Sequence, residues 1–247
     1  MFNAAEGFPY KRFLRRMHTN VTVDWYLEIG CRSGGSLASV SGKAIAVDPF
    51  FKINSNIVGD KPAMLFFQQT SDDFFASDIL SAMKAKVSLS FIDGMHLFEY
   101  ALRDFINVEK NAAPGGVAIF HDCFPYGHEM TTRDIDNLPK GAWTGDVWKL
   151  IPILKAYRPD LTIRALDAAT TGLLVVSGLN PRSRKLSAAY EDIVEEWTSV
   201  SLENYGVERF NSLFEYESAR GVMMGGFDIV PPELRTQKAA TPEFVTP

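Results

Sequence analysis

The chain has 247 residues, 46% of them apolar and 22% charged, with a net charge of -5, the balance of a globular protein of one large domain or two small ones. The acidic excess argues against a general nucleic-acid binder, two cysteines are too few for a disulfide framework, and no apolar run approaches the roughly 18 residues of a membrane span. A cytoplasmic protein is therefore expected, and a secreted scaffold, a membrane protein and a disordered chain are set aside.

In chain order, residues 1–22 read as a lead-in helix whose basic run (Lys11, Arg12, Arg15, Arg16) is a solvated face, with Tyr10 and Phe13 candidates to fold over a crevice. Apolar runs then predict strands at 25–29, 44–47, 64–68, 87–92, 116–120, 161–166 and 173–176. Continuous apolar strands fit a parallel sheet covered on both faces. Helices fit between them. The stripe Leu97, Phe98, Ala101, Leu102, Phe105, Ile106 predicts one over 97–108, with Arg103, Asp104 and Glu109 off the stripe. A second is predicted over 72–84, capped by Ser71 or Asp72. A third covers 147–157, where Pro152 marks a kink or a later start. This alternation predicts a doubly wound, seven-stranded α/β sheet over 23–178. Residues 179–247 read as a helical cover: Leu186, Tyr190, Ile193, Val194 and Trp197 form one amphipathic helix, a candidate homodimer contact, and Pro231-Pro232 with the last dozen residues are expected to fray.

The chemistry-bearing residues gather at predicted strand ends. The first strand runs into Glu28-Ile29-Gly30-Cys31-Arg32-Ser33-Gly34-Gly35-Ser36. A glycine-rich turn there lets backbone approach a ligand closely, in the crevice at the carboxyl ends of the strands. Arg32 stands where a dinucleotide fingerprint needs its second glycine, and Glu28 suits a cationic or amine-bearing ligand better than a phosphate. Asp48, ending the second strand, is placed to accept hydrogen bonds from a ribose diol. A nicotinamide-linked oxidoreductase on the same architecture is the competing enzyme class, and a non-catalytic interaction module is a third reading.

The stretch Glu28, Gly30, Gly34, Ser36 resembles the first motif of class I S-adenosylmethionine-dependent methyltransferases, and Asp48 resembles their acidic second motif. Phe91-Ile92-Asp93-Gly94-Met95-His96, with Tyr100 and Arg103-Asp104, and Pro114-Gly115-Gly116 to His121-Asp122 resemble the I-D-G-x-H and H-D stretches of one methyltransferase-domain subfamily. Gly145-Asp146-Val147-Trp148-Lys149 resembles a stretch that follows the fifth strand in some members, and the likeness spans 25–177.

The resemblance implies a mostly parallel Rossmann-like methyltransferase fold. It implies S-adenosyl-L-methionine as cofactor, with Glu28, Gly30, Gly34, Ser36, Asp48, Asp72 and Asp93 around it. A small-molecule or sugar hydroxyl is the expected acceptor, with no nucleic acid and no membrane as partners. A hydroxyl needs a general base or a cation to become nucleophilic. His96, His121 and Asp122 are the candidate catalytic groups. Asp93 and Asp122 are candidate ligands for Mg²⁺. Trp143, Asp146 and Trp148 are candidates for an acceptor pocket.

Overall fold

The computed structural model describes residues 1–237. Eight strands share one sheet: β1 (Trp25–Ile29), β2 (Lys43–Val47), β3 (Met64–Phe67), β4 (Val87–Ile92), β5 (Ala112–His121), β6 (Thr162–Leu166), β7 (Leu173–Ser177) and β8 (Tyr216–Glu217). Their spatial order is β3-β2-β1-β4-β5-β7-β6-β8. The first five are mutually parallel, β7 runs antiparallel to both β5 and β6, and β8 lies parallel to β6. The seven expected strands are all present. The eighth was not anticipated, because two residues carry no periodicity. β5 begins earlier than expected: Ala112 pairs with Val87 across a register shift, and Gly115 takes φ +77° inside the strand, so Pro114-Gly115-Gly116 is an irregularity within the strand and not a turn before it.

Alternation along the strands divides the interior in two. Leu27, Ile29, Ile45, Val47 and Phe120 face one core. It is covered by α3 (Phe98–Asn111), α4 (Leu150–Tyr157) and α5 (Tyr190–Thr198) through Phe98, Leu102, Phe105, Ile153, Ile193 and Trp197. Tyr26, Ala44, Ala46, Leu89, Phe91 and Ile119 face the other core. That side is covered by the two ends of the chain: α1 (Tyr10–Asn20) through Phe13, Leu14 and Met17, and the segment from α6 (Ala219–Met224) to Leu234 through Val222, Phe227 and Val230. No α-helix follows β1. Only a short 3-10 turn, Leu37–Ser39, lies between β1 and β2, and α1 fills the face such a helix would have covered. Its exposed Lys11, Arg12, Arg15 and Arg16 alternate in pairs with the buried residues, as expected. At about 1.5–3 kcal/mol per buried large apolar side chain, Phe13, Leu14 and Met17 anchor this helix firmly.

Local chemistry corrects several expectations. The helix expected over 72–84 is broken into α2 (Ser71–Ala76) and a single turn at Ile79–Ala82, because Asp78 takes φ +51°; the N-cap is Thr70, whose hydroxyl accepts the Asp73 amide at 3.1 Å. α4 starts at Leu150, so Pro152 sits in the first turn, where its missing N–H has no intrahelical partner to lose. Asp104 and Glu109, expected off the buried stripe of α3, are buried, and Glu109 accepts Arg158 at 2.6 Å. Pro231-Pro232 is not frayed. Val230 and Leu234 are buried on either side of it, and Arg235–Thr236 pairs antiparallel with Thr22–Val23. Residues 238–247, the rest of that expected tail, lie outside the described residues. The apolar stripe of the C-terminal helices packs inside this chain: Leu186, Ile193, Trp197, Leu202 and Phe210 join the first core. Among the described residues no helix is long and apolar enough to cross a membrane.

Candidate active site

Because β1, β2, β4 and β5 are parallel, their carboxyl ends open on one rim. The register of β4 against β5 pairs Ile92 with Phe120, so the residues that follow, Asp93 and His121, emerge side by side. Asp122 takes φ +61°, a left-handed conformation that Asp tolerates better than most residues, and this turns the chain at the rim. His96 lies on the turn between Asp93 and α3. Its carbonyl accepts the Asp146 amide at 3.1 Å, and a side chain at Gly145 (φ +51°) would collide with that same carbonyl, 1.6 Å from its first carbon. The loop 143–146 thus fixes His96 from above.

Four side chains converge there. His96 Nε2 lies 3.5 Å from Asp93 Oδ1 and 3.3 Å from Asp122 Oδ2. His121 Nδ1 lies 3.3 Å from Asp93 Oδ1 and 3.2 Å from Asp122 Oδ2. His96 and Asp93 keep one-fifth of their side-chain surface open, whereas His121 and Asp122 are buried to 8%. Asp93, His96 and Asp122 offer ligand atoms all within 4.8 Å of one another. Burial alone would lower both histidines, but Asp93 and Asp122 outweigh it and raise them, His121 to about 10. Burial would likewise raise Asp93, but His121 and His96 hold it below the usual carboxylate range.

The β1 and β2 ends differ in character. Gly30 takes φ +85°, and a side chain there would meet the Asp93 carbonyl oxygen at 1.9 Å, so only glycine lets the loop cross β4 this closely. Gly34 turns at φ +72° against Ile57. Glu28 is fully buried; its carboxylate accepts Tyr26 Oη at 2.7 Å and the Ser36 hydroxyl. Burial raises it to about 7, against the pull of those two donors. Asp48 accepts the Arg32 amide at 2.7 Å and the Phe50 amide at 2.6 Å, which ties the glycine loop to the end of β2.

Other candidates are held by partners of their own. Asp72 is held by Arg103 in a bidentate pair at 2.9 and 2.6 Å, and Arg103 also donates to Tyr190. Asp146 is buried, accepts the first amide of α3 at Phe98 (2.8 Å), and pairs with Lys149 (2.7 Å) and Arg133. Trp148 is buried among Trp197, Tyr205 and Phe210, which puts it in the core and not on a pocket wall. Trp143 does reach the rim: its ring lies 4.9 Å from that of His96, and its carbonyl accepts His96 Nδ1–H at 2.8 Å.

Two contacts to the cluster had no strong signal in the sequence. Thr171, buried in the β6–β7 connection, donates to Asp122 Oδ1 at 2.7 Å and lies 3.0 Å from His121 Nε2. Tyr10 stacks on His121 with ring centres 3.9 Å apart, while Phe13 points into the core. The Tyr10 amide donates to the Ala169 carbonyl at 2.7 Å, so one connection holds both the N-terminal helix and the histidine.

Residues 27–123 match the family described as a methyltransferase domain. This part of the chain is a class I methyltransferase domain. The match ends one residue beyond Asp122, so it contains the glycine loop and the whole rim cluster but neither Thr171 nor Tyr10. No curated protein matches the chain. Among solved structures, the chain resembles an O-methyltransferase from Bacillus cereus in complex with SAH, with TM-score 0.50 and 16% identity over 68% of this chain and 80% of that one. The O-methyltransferase TomG from Streptomyces achromogenes, involved in tomaymycin synthesis and bound to SAM, aligns with TM-score 0.45 and 16% identity over 68% and 78% of the two chains. MycE, from the mycinamycin biosynthetic pathway and in complex with Mg, SAH and mycinamycin VI, aligns with TM-score 0.43 and 15% identity over 70% of this chain and 48% of its own. The family match selects a methyltransferase over the hydride-transfer alternative that the fold alone left open.

Proposed function

We propose that the methyltransferase transfers a methyl group from S-adenosylmethionine to a hydroxyl oxygen of a small molecule, a sugar among the candidates. The observation that carries this reading is the convergence of Asp93, His96, His121 and Asp122 at the ends of β4 and β5. An alcohol is a weak nucleophile at neutral pH, and a base or a cation at the acceptor oxygen is what the reaction demands of the protein.

Bound S-adenosylmethionine supplies an electrophilic methyl on a sulfonium, together with its own leaving group. The chain's residues supply the rest. The Gly30–Ser36 loop presents backbone to the cofactor. Each Asp48 oxygen, with one lone pair on a backbone amide, keeps another for a ribose hydroxyl. Glu28 acts beneath the loop, holding Ser36 and Tyr26. Asp93 stands between the two regions, its backbone amide bonded to the Ile29 carbonyl at 2.9 Å and its carboxylate in the cluster. Trp143 and Tyr10 flank the cluster with aromatic faces that suit a sugar or ring acceptor. His96 is the more open of the two histidines, and its inward Nε2 is the atom best placed to take the acceptor's proton. Asp93, His96 and Asp122 are the residues that would hold a divalent ion, which would lower the hydroxyl's pKa directly.

The test is isothermal titration with S-adenosylhomocysteine, followed by methyl transfer to a panel of sugar and phenolic acceptors. Binding of the cofactor product and methylation at oxygen support the reading. A failure to bind it, or transfer to nitrogen or carbon acceptors alone, overturns it.

A further inference from the structure

His96 and His121 each carry a ring proton on the nitrogen turned away from the two carboxylates. His96 Nδ1 faces the Trp143 carbonyl at 2.8 Å, and a carbonyl only accepts, so that nitrogen is protonated. His121 Nε2 faces Thr171 Oγ1 at 3.0 Å. The single Thr171 proton goes to Asp122 Oδ1 at 2.7 Å, so the hydroxyl accepts from the ring, and Nε2 is protonated too. In the neutral rings, the inward nitrogens then direct lone pairs at the oxygens of Asp93 and Asp122, 3.2 to 3.5 Å away. In the ion-free protein, ring protons link the imidazoles to these carboxylates, and a metal ion that displaces those protons would meet the same four inward atoms.

We propose that this cluster binds a divalent transition ion of the Zn²⁺, Mn²⁺ or Co²⁺ kind in preference to Mg²⁺, with His96, Asp93 and Asp122 as ligands and His121 completing the set. Two carboxylates and two neutral imidazoles balance a charge of two. Mg²⁺ takes oxygen ligands in near-ideal octahedra and keeps its waters, whereas imidazole suits the later first-row ions. The outward N–H of each ring is held by a carbonyl or a hydroxyl, the arrangement that fixes the tautomer of a metal-bound histidine. Thr171 and the Trp143 carbonyl are therefore positioning groups for the centre, and the oxygen-only Mg²⁺ pair expected at Asp93 and Asp122 does not describe the donor set present. The inference rests on reading the rim as the reaction site, but ion binding is measured without any methyl transfer.

The experiment uses the full chain stripped with EDTA and titrated with Co²⁺, followed by visible absorption and by bound-metal analysis. One Co²⁺ per chain with a ligand-field band is expected, displaced by Zn²⁺ and unaffected by millimolar Mg²⁺. His96→Gln and His121→Gln should each lower Co²⁺ affinity more than tenfold. Thr171→Val, which leaves all four side chains in place, should weaken it about 10- to 100-fold, the usual cost of losing such a support. No Co²⁺ uptake, displacement by millimolar Mg²⁺, or unchanged affinity in Thr171→Val and both histidine variants overturns the proposal. S-adenosylhomocysteine titration separates the readings: a protein that binds Co²⁺ as described but not the cofactor product keeps the metal centre and loses the methyl-transfer function.

Discussion

The two halves of the rim are built from the same kinds of residue and are wired oppositely. At the β1–β2 end, the carboxylate oxygens of Glu28 and Asp48 take hydrogen bonds from their own chain: Tyr26 and Ser36 for the first, the Arg32 and Phe50 amides for the second. At the β4–β5 end, Asp93 and Asp122 look at two imidazoles across 3.2 to 3.5 Å, and the imidazoles are held from outside by Trp143 and Thr171. The first half uses its acids to shape a loop. The second uses its surroundings to aim acids and imidazoles at a common point. Acidic residues at strand ends are therefore not one class: those that accept donors from the adjoining loop and strand shape that loop, and those left facing the imidazoles are available for chemistry.

The sharpest way to break this comparison is to neutralise one acid in each half. Asp122→Asn should cut turnover on an O-acceptor by 100-fold or more, the scale of a lost general-base or cation contribution, while S-adenosylhomocysteine affinity stays within about threefold. Asp48→Ala should do the reverse: more than tenfold weaker affinity by isothermal titration, because the Arg32 and Phe50 amides lose their acceptor and the loop its tie to β2. If both variants lose affinity and turnover together, the two halves act as one unit and the division fails. Gly30→Ala sharpens it further. The new methyl would sit 1.9 Å from the Asp93 carbonyl, where the halves touch, so both affinity and turnover should fall, with a melting temperature several degrees lower.

The sequence carried the strands and the rim residues because parallel strands are continuous apolar runs that end in Gly, Asp or His, and parallel pairing brings those ends to one edge. Glu28, Asp48, Asp93, His96, His121 and Asp122 were all legible on that ground. What the sequence could not carry was who holds whom. Thr171 follows three unremarkable residues and reaches Asp122 only through the antiparallel return of β6 and β7. Asp146 and Trp148 sit in a recognisable stretch but point into the core, because the turn Val147–Lys149 and α4 bury that side. The missing helix after β1 was likewise hidden, since its replacement comes from residues 10–20 at the other side of the motif.

The smallest expected effect lies in stability, and it tests whether Glu28 belongs to the fold or to the reaction. Its carboxyl is pushed up to about 7 in the folded protein, by burial first, against an ordinary 4.5. The folded state therefore binds a proton more tightly than the unfolded one. The resulting stabilisation is complete below the unfolded value and is lost as pH rises through about 7. Between pH 6 and 8.5 this one group should cost the wild type on the order of 1 kcal/mol, read from urea unfolding at the two pH values. Glu28→Gln removes the titration but keeps a side chain that Tyr26 and Ser36 can still hydrogen-bond, so its stability should fall by correspondingly less over the same interval. Asp104, also raised to about 7 by burial, titrates in both proteins and cancels in the comparison. Parallel pH profiles for the two proteins would mean that Glu28 is ionised and solvated at the rim, as a group in direct contact with the cofactor would be, and would move it from the shaping half of the site to the reacting half.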